Sequence, residues 1–470
     1  MTGIATVRAL TPRPSAAFLE RVGLLPVERT AAGVVVASWH ATPEASAVDE
    51  LALLFGAPVT VIPGDEHALR AAIHRVYGEE STAQGVIDAL DAPRSSVTAS
   101  RALDDLVAQA NEAPIVRLVN LLLVEALDGR ASDVHLEATG GALRVRYRID
   151  GVLQDAPSPP ASSAAAVVSR LKIMAELDIA ERRVPQDGRV RLRLQERMVD
   201  VRVATVPTLH GESIVLRLLD RAQGPIALDA LGMPAPILAR FRAAIARPHG
   251  IVLATGPTGS GKTTTLYAAI DAIRTGREKI LTVEDPVEYE LVGVPQVPVH
   301  EKAGVTFAIA LRALLRQDPD VLLVGEIRDG ETAAIATQAA LTGHLVLSTL
   351  HTNDAIGALV RLRDLGVAPY LIASTVQVVL AQRLVRRICA SCANAGCDAC
   401  RGTGYRGRAG VYELFEMTDA IRDALGGGAD AGTLRRAAQQ TGMTSLDADA
   451  RRLVAAGVTT ASEAARIALM

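Results

Sequence analysis

The residues best suited to chemistry in this 470-residue chain form one segment, Gly256-Pro257-Thr258-Gly259-Ser260-Gly261-Lys262-Thr263-Thr264. The apolar run 251–254 before it predicts a buried strand, and the apolar spacing after it predicts a helix. Between a strand and a helix, this glycine pattern binds phosphate through backbone N–H groups, and Lys262 can reach the outer phosphates. The Thr263 hydroxyl would ligate Mg²⁺. The segment therefore predicts binding and hydrolysis of a nucleoside triphosphate.

Polar residues also follow or flank three predicted strands downstream: Glu284 and Asp285 after 280–283, Glu326 after 321–324, and His344 and His351 around 345–349. In a parallel sheet ligands bind at the carboxyl ends of the strands, so we expect these residues to converge near the glycine-rich segment. Acidic groups there can hold Mg²⁺ through water and orient the attacking water. Glu326 is the predicted water-activating base, and Glu284 and Asp285 are the alternative carboxylates. Helix N-capping is the competing explanation for these acidic residues.

All four cysteines of the chain lie in one pattern, Cys389-x-x-Cys392-x₄-Cys397-x-x-Cys400. Two close Cys-x-x-Cys pairs in a cytosolic protein favour tetrahedral zinc over disulfides. Four thiolates would fill every coordination position, so the zinc would be structural. We therefore predict a zinc-binding subdomain over residues 386–408.

The elements that must position these groups belong to separate domains. At about 150 residues per domain, the length of the chain alone predicts about three. Residues 228–470 alternate apolar strands with helices and predict an α/β domain with a mostly parallel sheet. Residues 113–222 predict a smaller α+β domain, which follows an N-terminal adaptor at 1–85 and a polar linker at 86–112. Alternation in the second domain places arginines on one sheet face, where each alone suits a solvated edge and the group could grip phosphate: Arg144, Arg146, Arg148, Arg189, Arg191, Arg193 and Arg202.

Composition limits the partners. A formal net charge of −3 and 3% aromatic residues argue against nucleic-acid binding, although the arginine face and the cysteines suggest an ATP-switched nucleic-acid-binding protein as another possibility. No signal-peptide core and no run of about 20 apolar residues is present in the sequence. We therefore expect a soluble cytoplasmic protein whose membrane contact is indirect, through a partner.

Several motifs together resemble the type II secretion and type IV pilus assembly ATPases over about residues 113–415. In the α/β domain these are the Walker A loop at 256–264, the Asp box at 282–288, the Walker B region at 315–329 and the His box at 341–353. In the second domain they are 131–137, 185–189 and 207–212, and the ending 216–221 is more similar to the secretion branch. The family commonly separates its Cys-x-x-Cys pairs by a longer stretch, so the metal subdomain looks trimmed.

The resemblance implies a RecA-like P-loop core within a ring-shaped homohexamer that uses ATP, Mg²⁺ and Zn²⁺. ATP would bind between the second domain and the core, and Arg202 and Arg217 would reach its phosphates. Glu326 would polarise water, and His344 and His351 would help to sense the γ-phosphate. The resemblance gives further arginines to the site or the subunit interface: Arg312, Arg316, Arg328 and Arg361.

By the same resemblance the motor drives pseudopilus assembly at the inner face of the inner membrane. Its N-terminal domain would dock on the cytoplasmic domain of a bitopic membrane protein (GspL-like), and its core on a polytopic platform protein (GspF-like). An ATPase of type IV pilus assembly or DNA uptake, with the same chemistry, is the alternative.

Overall fold

A computed structural model describes residues 10, 14, 16–30, 32–77, 83–91, 110–194, 197–220 and 226–468. Most of the predicted linker, at 92–109, lies outside these residues. The chain divides into two compact units, Met1–Ala222 and Gln223–Met470. No helix of the described parts is long and apolar enough to cross a bilayer.

A small three-stranded sheet opens the first unit, with β1 (Leu24–Thr30) antiparallel to β2 (Gly33–Ser38), and β2 parallel to β3 (Val59–Pro63). Its helices are Ala16–Val22, Ala45–Phe55 and Glu66–Tyr77. The first of these helices stops just before Leu24 and Leu25. Gly23 ends that helix at φ 71°, a conformation that favours glycine, and both leucines then enter β1.

The helix Ala83–Asp91 packs with the next part of the chain. The backbone N–H of Ala83 donates to Glu125 Oε1 at 2.8 Å, and Glu125 lies on the helix Ala113–Asp128. Val86 and Ile87 are buried in the core of the second domain.

That second domain is a six-stranded antiparallel sheet in the order β6-β5-β4-β9-β8-β7. The strands are β4 (Ala131–Thr139), β5 (Ala142–Ile149), β6 (Val152–Asp155), β7 (Gln186–Leu194), β8 (Arg197–Thr208) and β9 (Gly211–Asp220). The helices Ala113–Asp128 and Ala164–Met174 bury their apolar side chains with one face of this sheet.

The opposite face carries the arginines, as the alternating pattern predicts. Arg202 pairs in register with Arg189 on one side and with Arg217 on the other. Asp133 is the next residue across, opposite Arg217. Arg189, Arg202 and Arg217 therefore follow a line across three neighbouring strands, and the buried Asp133 beyond its end accepts from Arg217 Nε at 3.0 Å.

The second unit contains a seven-stranded sheet in the order β12-β11-β13-β14-β10-β15-β16. The strands are β10 (Gly250–Thr255), β11 (Ile280–Glu284), β12 (Gln296–Pro298), β13 (Val321–Val324), β14 (Leu345–Leu350), β15 (Val376–Ile388) and β16 (Tyr405–Glu416). All neighbours are parallel except β15 and β16. The predicted α/β fold with a mostly parallel sheet is confirmed.

This unit has two separate apolar clusters. Alternate residues of each strand go to opposite clusters, for example Leu253 to one and Val252 to the other. This is the pattern of a sheet covered on both faces, and it explains the uninterrupted apolar runs. The helices are Ala235–Ile245, Lys262–Ile273, Phe307–Leu314, Gly330–Leu341, Ala355–Asp364, Pro369–Thr375, Asp419–Gly426, Ala431–Gln440, Leu446–Ala455 and Ala461–Ala468.

Candidate nucleotide-binding site and cysteine cluster

The glycine-rich loop joins the carboxyl end of β10 to the helix Lys262–Ile273, as predicted. Gly256 has φ 147° and Gly261 has φ 90°. A Cβ atom at Gly256 would collide with the backbone oxygen of Gln382, and one at Gly261 would lie 2.7 Å from Gln382 Nε2. Only glycine fits at these two positions, because β15 runs directly against the loop.

Lys262 and Ser260 line the loop. The Lys262 ammonium donates to the carbonyl oxygens of Gly256 at 2.9 Å and Pro257 at 3.1 Å. Burial lowers the pKa of Lys262 to about 8; the Glu326 carboxylate opposes this shift and Arg383 adds to it. Ser260 Oγ is buried without a hydrogen-bond partner among the described residues. Phosphate oxygens would satisfy both groups, so the loop fits the phosphates of a nucleotide.

Glu326 lies two residues beyond β13, at the same edge of the sheet as the loop. Arg328 Nη2 is 2.6 Å from Glu326 Oε1, and His351 Nε2 is 3.3 Å from Oε2. The carboxylate is only 14% exposed. Burial lowers the pKa of His351, and the positive charge of Lys262 lowers it further, so the imidazole is neutral near pH 7. Glu326, His351 and Lys262 therefore form one cluster, in which Glu326 can orient a water molecule.

Glu284, the last residue of β11, has a different environment. Its side chain is buried and accepts hydrogen bonds from Thr282 Oγ1 at 2.6 Å, from Gln296 Nε2 at 3.0 Å and from the Tyr267 hydroxyl. Burial and the Glu284 charge raise the pKa of Tyr267, which keeps it a donor. The carboxylate thus ties β11 to β12 and to the helix that begins with Lys262. Its neighbour Asp285 is more exposed and lies 3.5 Å from Arg328 Nη1.

His344 lies at the other edge of the sheet. It precedes β14, and its backbone oxygen accepts from Gly250 N at 3.1 Å, at the start of β10. Its Nδ1 is 2.9 Å from Ala339 O. At about 3.3 Å per residue, β14 separates His344 from His351 by roughly 20 Å. The expectation that both histidines converge at the loop is therefore wrong for His344, because only the residue after a parallel strand reaches the carboxyl edge.

The predicted phosphate-contacting arginines lie in the first unit, on the open face of the six-stranded sheet. Arg217 Nε donates to Asp133 Oδ1 at 3.0 Å, and the Arg217 side chain is 54% exposed. Arg202 is its neighbour on β8. A phosphate contact by either arginine stays a prediction.

The cysteines occupy the turn between β15 and β16. Sulfur distances are 3.9 Å for Cys389–Cys397, 3.7 Å for Cys392–Cys400 and 3.7 Å for Cys397–Cys400, and all four sulfurs lie within 4.8 Å of one another. Tetrahedral zinc with Zn–S bonds of about 2.3 Å would hold its sulfurs about 3.8 Å apart. The backbone N–H groups of Cys397 and Gly404 donate to Cys400 Sγ at 3.2 Å, which stabilises a thiolate. The donor set therefore fits a closed zinc site.

Two residues beside the loop were not predicted. Gln382 accepts from Thr265 Oγ1 at 2.8 Å, and Arg383 donates to Asn353 O at 2.9 Å. Both follow the apolar run 378–381, which pairs with β10. A polar pair after an apolar run is the signal that identified Glu284 and Glu326, and it was present here too.

Comparisons with known proteins agree with this geometry. A family model described as "Type II/IV secretion system protein" matches residues 108–466. The chain is 49% identical over 425 residues to type II secretion system protein HxcR of Pseudomonas aeruginosa, covering 87% of this chain and 90% of that protein. It is 42% identical over 471 residues to the type IV pilus assembly ATPase PilB of Myxococcus xanthus, covering 94% and 83%. Among solved structures it is similar to the pilus retraction motor PilT with bound ADP, with a TM-score of 0.54, 29% identity, and coverage of 74% of this chain and 96% of that one.

Proposed function

Since the chain belongs to the type II/IV secretion system protein family, we propose that it is the ATPase motor of a type II secretion system and hydrolyses ATP to drive pseudopilus assembly. The single observation that carries this proposal is the cluster of Lys262, Glu326 and His351 at the loop, in a chain 49% identical to a type II secretion system protein.

In the proposed reaction each residue of the cluster has one task. The ammonium of Lys262 and the hydroxyl of Ser260 bind the phosphates. Glu326 orients the attacking water and takes its proton, while Arg328 and His351 hold the carboxylate in place. Mg²⁺, held by the Thr263 hydroxyl, would neutralise charge on the phosphates when bound.

The assembly around this site is also proposed. A homohexamer would allow Arg202 and Arg217 to reach the phosphates and to couple hydrolysis to movement of the second domain. His344 lies at the edge of the sheet opposite the loop of its own chain. If it contributes to hydrolysis, it would do so at the nucleotide site of a neighbouring subunit. The protein would work in the cytoplasm, at the inner face of the inner membrane. Its partners would be the bitopic protein, through the N-terminal domain, and the platform protein, through the core, with no nucleic acid.

Type IV pilus assembly is the second candidate. It is supported by the 42% identity to PilB, which spans 94% of this chain. The site chemistry is the same in both, so only the partner separates them.

Co-purification of the full chain with each of two membrane partners tests the proposal. We expect retention on the cytoplasmic domain of the secretion system's bitopic protein, and stimulation of ATP turnover by it. Retention only on the pilus counterpart would favour the second candidate. Stimulation by single-stranded DNA and by neither protein would contradict both.

A further inference from the structure

Arg383 is a buried arginine that lies beside the glycine-rich loop. It is 4% exposed and follows the β15 residues that pair with β10. Its Nη1 lies 3.2 Å from the point that a Cβ atom of Gly256 would occupy. Nη2 donates to the backbone oxygen of Asn353 at 2.9 Å, two residues after His351. The guanidinium therefore lies between the first residue of the loop and the segment that carries His351.

Among the described residues of this unit, no carboxylate forms an ion pair with Arg383. No carboxylate of the described residues lies within 4.0 Å of its guanidinium, and its Nε is buried without a hydrogen-bond partner among them. Its hydrogen bonds go to neutral oxygens of Asn353 and Gln382. Buried charges in proteins are nearly always paired, because an unpaired one loses its hydration without compensation.

Two acidic groups are near enough to interact with Arg383, but both are bound elsewhere. Asp354 forms an ion pair with Arg435 and caps the helix Ala355–Asp364. Glu413 accepts the backbone N–H groups of Ala355 at 2.9 Å and Leu446 at 3.4 Å, and burial raises its pKa. Arg383 and Lys262 therefore place two buried cations at the loop, and Glu326 is the carboxylate that interacts with Lys262.

We propose that Arg383 is a further phosphate-positioning residue of this site, and that the phosphates of a bound nucleoside di- or triphosphate are its counter-ion. The inference rests on the proposed function, since it requires a nucleotide in the loop. It adds a cation from β15 to the groups supplied by the loop itself, and it links the start of the loop to the His351 segment. Removing the charge should weaken nucleotide binding without weakening the nucleotide-free fold.

Arg386 provides the matched control on the same strand. Its Nη2 is 2.6 Å from Glu463 Oε1, and its guanidinium lies 4.1 Å from the centroid of the Tyr405 ring. Unlike Arg383 it has a carboxylate counter-ion, and it belongs to the cysteine end of β15. Arg386→Gln should lower the melting temperature and leave ADP affinity unchanged.

The experiment measures ADP affinity by equilibrium fluorescence and the melting temperature without nucleotide, on the full chain. We expect Arg383→Gln to weaken ADP binding on the order of 10-fold, as the loss of one charged partner should, with a melting temperature equal to or above that of the wild type. Arg383→Lys keeps the charge and should restore ADP affinity to within about threefold of the wild type.

Three outcomes would overturn the inference: an Arg383→Gln variant that binds ADP as the wild type does, one that melts as early as Arg386→Gln or fails to fold, or an Arg383→Lys variant that restores nothing. Failure of the wild-type chain to bind ADP would instead refute the proposed function, so the two failures are distinguishable.

Discussion

The carboxylates of Glu326 and Glu284 differ in the donors around them. Glu326 contacts Arg328 and His351 and faces Lys262, whereas Glu284 is enclosed by Tyr267, Thr282 and Gln296. A base must exchange its proton with water, and a carboxylate that accepts three buried donors is instead part of the support of the loop helix.

We predict that Glu326→Gln leaves ATP binding intact and cuts turnover on the order of 10²-fold or more. Equilibrium ATP binding and steady-state hydrolysis, measured on the same preparation, check this. Normal turnover would transfer the role of the base to Glu284 or Asp285.

Glu284→Gln should instead lower the stability of the fold. The new amide would place N–H groups against existing donors and leave at least one buried donor unpaired, at a cost of about 1–3 kcal/mol of unfolding free energy. Denaturant unfolding should show this loss, while Glu326→Gln unfolds like the wild type. Equal stability of both variants would contradict the hydrogen-bond network around Glu284.

Glu463 makes the stability of the second unit depend on pH. Burial alone would raise the pKa of its carboxyl group, but hydrogen bonds from Arg386 and Arg466 outweigh burial and lower it to about 2. The stabilisation is therefore complete above the ordinary pKa of 4.5 and is lost as the pH falls from there towards 2.

Accordingly, Glu463→Gln should cost about 2 kcal/mol of unfolding free energy at pH 7 and progressively less below pH 4.5. Urea unfolding at several pH values measures the difference. Glu66→Gln is the control, because the Glu66–Arg70 pair is exposed and should contribute little at any pH. A cost for Glu463→Gln that stays constant down to pH 3 would contradict the lowered pKa.

At the scale of elements, the central strands were predictable and the last two were not. The strands β10, β11, β13 and β14 are mostly apolar, and apart from Glu284 at the end of β11 their polar residues are only serine and threonine. β15 instead buries Gln377, Gln382 and Arg383, whose polar groups conceal a central strand from hydrophobic patterning. The loop, Glu326 and His351 could be predicted because each follows closely on a strand that hydrophobic patterning identifies. Arg383 also follows an apolar run, 378–381, but Gln377 interrupts the strand before that run, so this position is harder to predict.

The cysteine hairpin yields a prediction at this scale. We expect about one zinc ion per chain by elemental analysis, and loss of the metal in Cys400→Ser, because three thiolates no longer close the tetrahedron. Ser391→Ala, in the same hairpin but without a ligand atom, should retain it. Absence of zinc from the wild type purified without chelator would refute the site.

At the scale of the whole molecule, the arginine face of the first unit and the loop of the second must meet for the proposed motor to work. We predict that Arg217→Gln lowers ATP turnover by about 10³-fold, as loss of a transition-state arginine does, and changes ADP affinity only a few-fold. Steady-state kinetics and ADP binding measure the two effects. Arg144→Gln is the control, since Arg144 lies on the same sheet face and also forms an ion pair, with Asp155, but is not one of the two arginines proposed to reach the phosphates. Equal turnover of both variants would remove Arg217 from the site.

The hairpin that carries the cysteines also bears on how such proteins can diverge. Cys389 N donates to Gly404 O at 2.9 Å, directly after β15 and directly before β16. This backbone hydrogen bond closes the base, or neck, of the cysteine-containing connection. Glu463 and Thr459, from the last part of the chain, bind Arg386 just below that neck. Residues between the two strands can therefore be inserted or deleted without shifting the register of β15 and β16. The connection between β15 and β16 can therefore differ in length between related proteins while the two strands keep the same pairing. A short connection such as this one is compatible with the same sheet as a longer one.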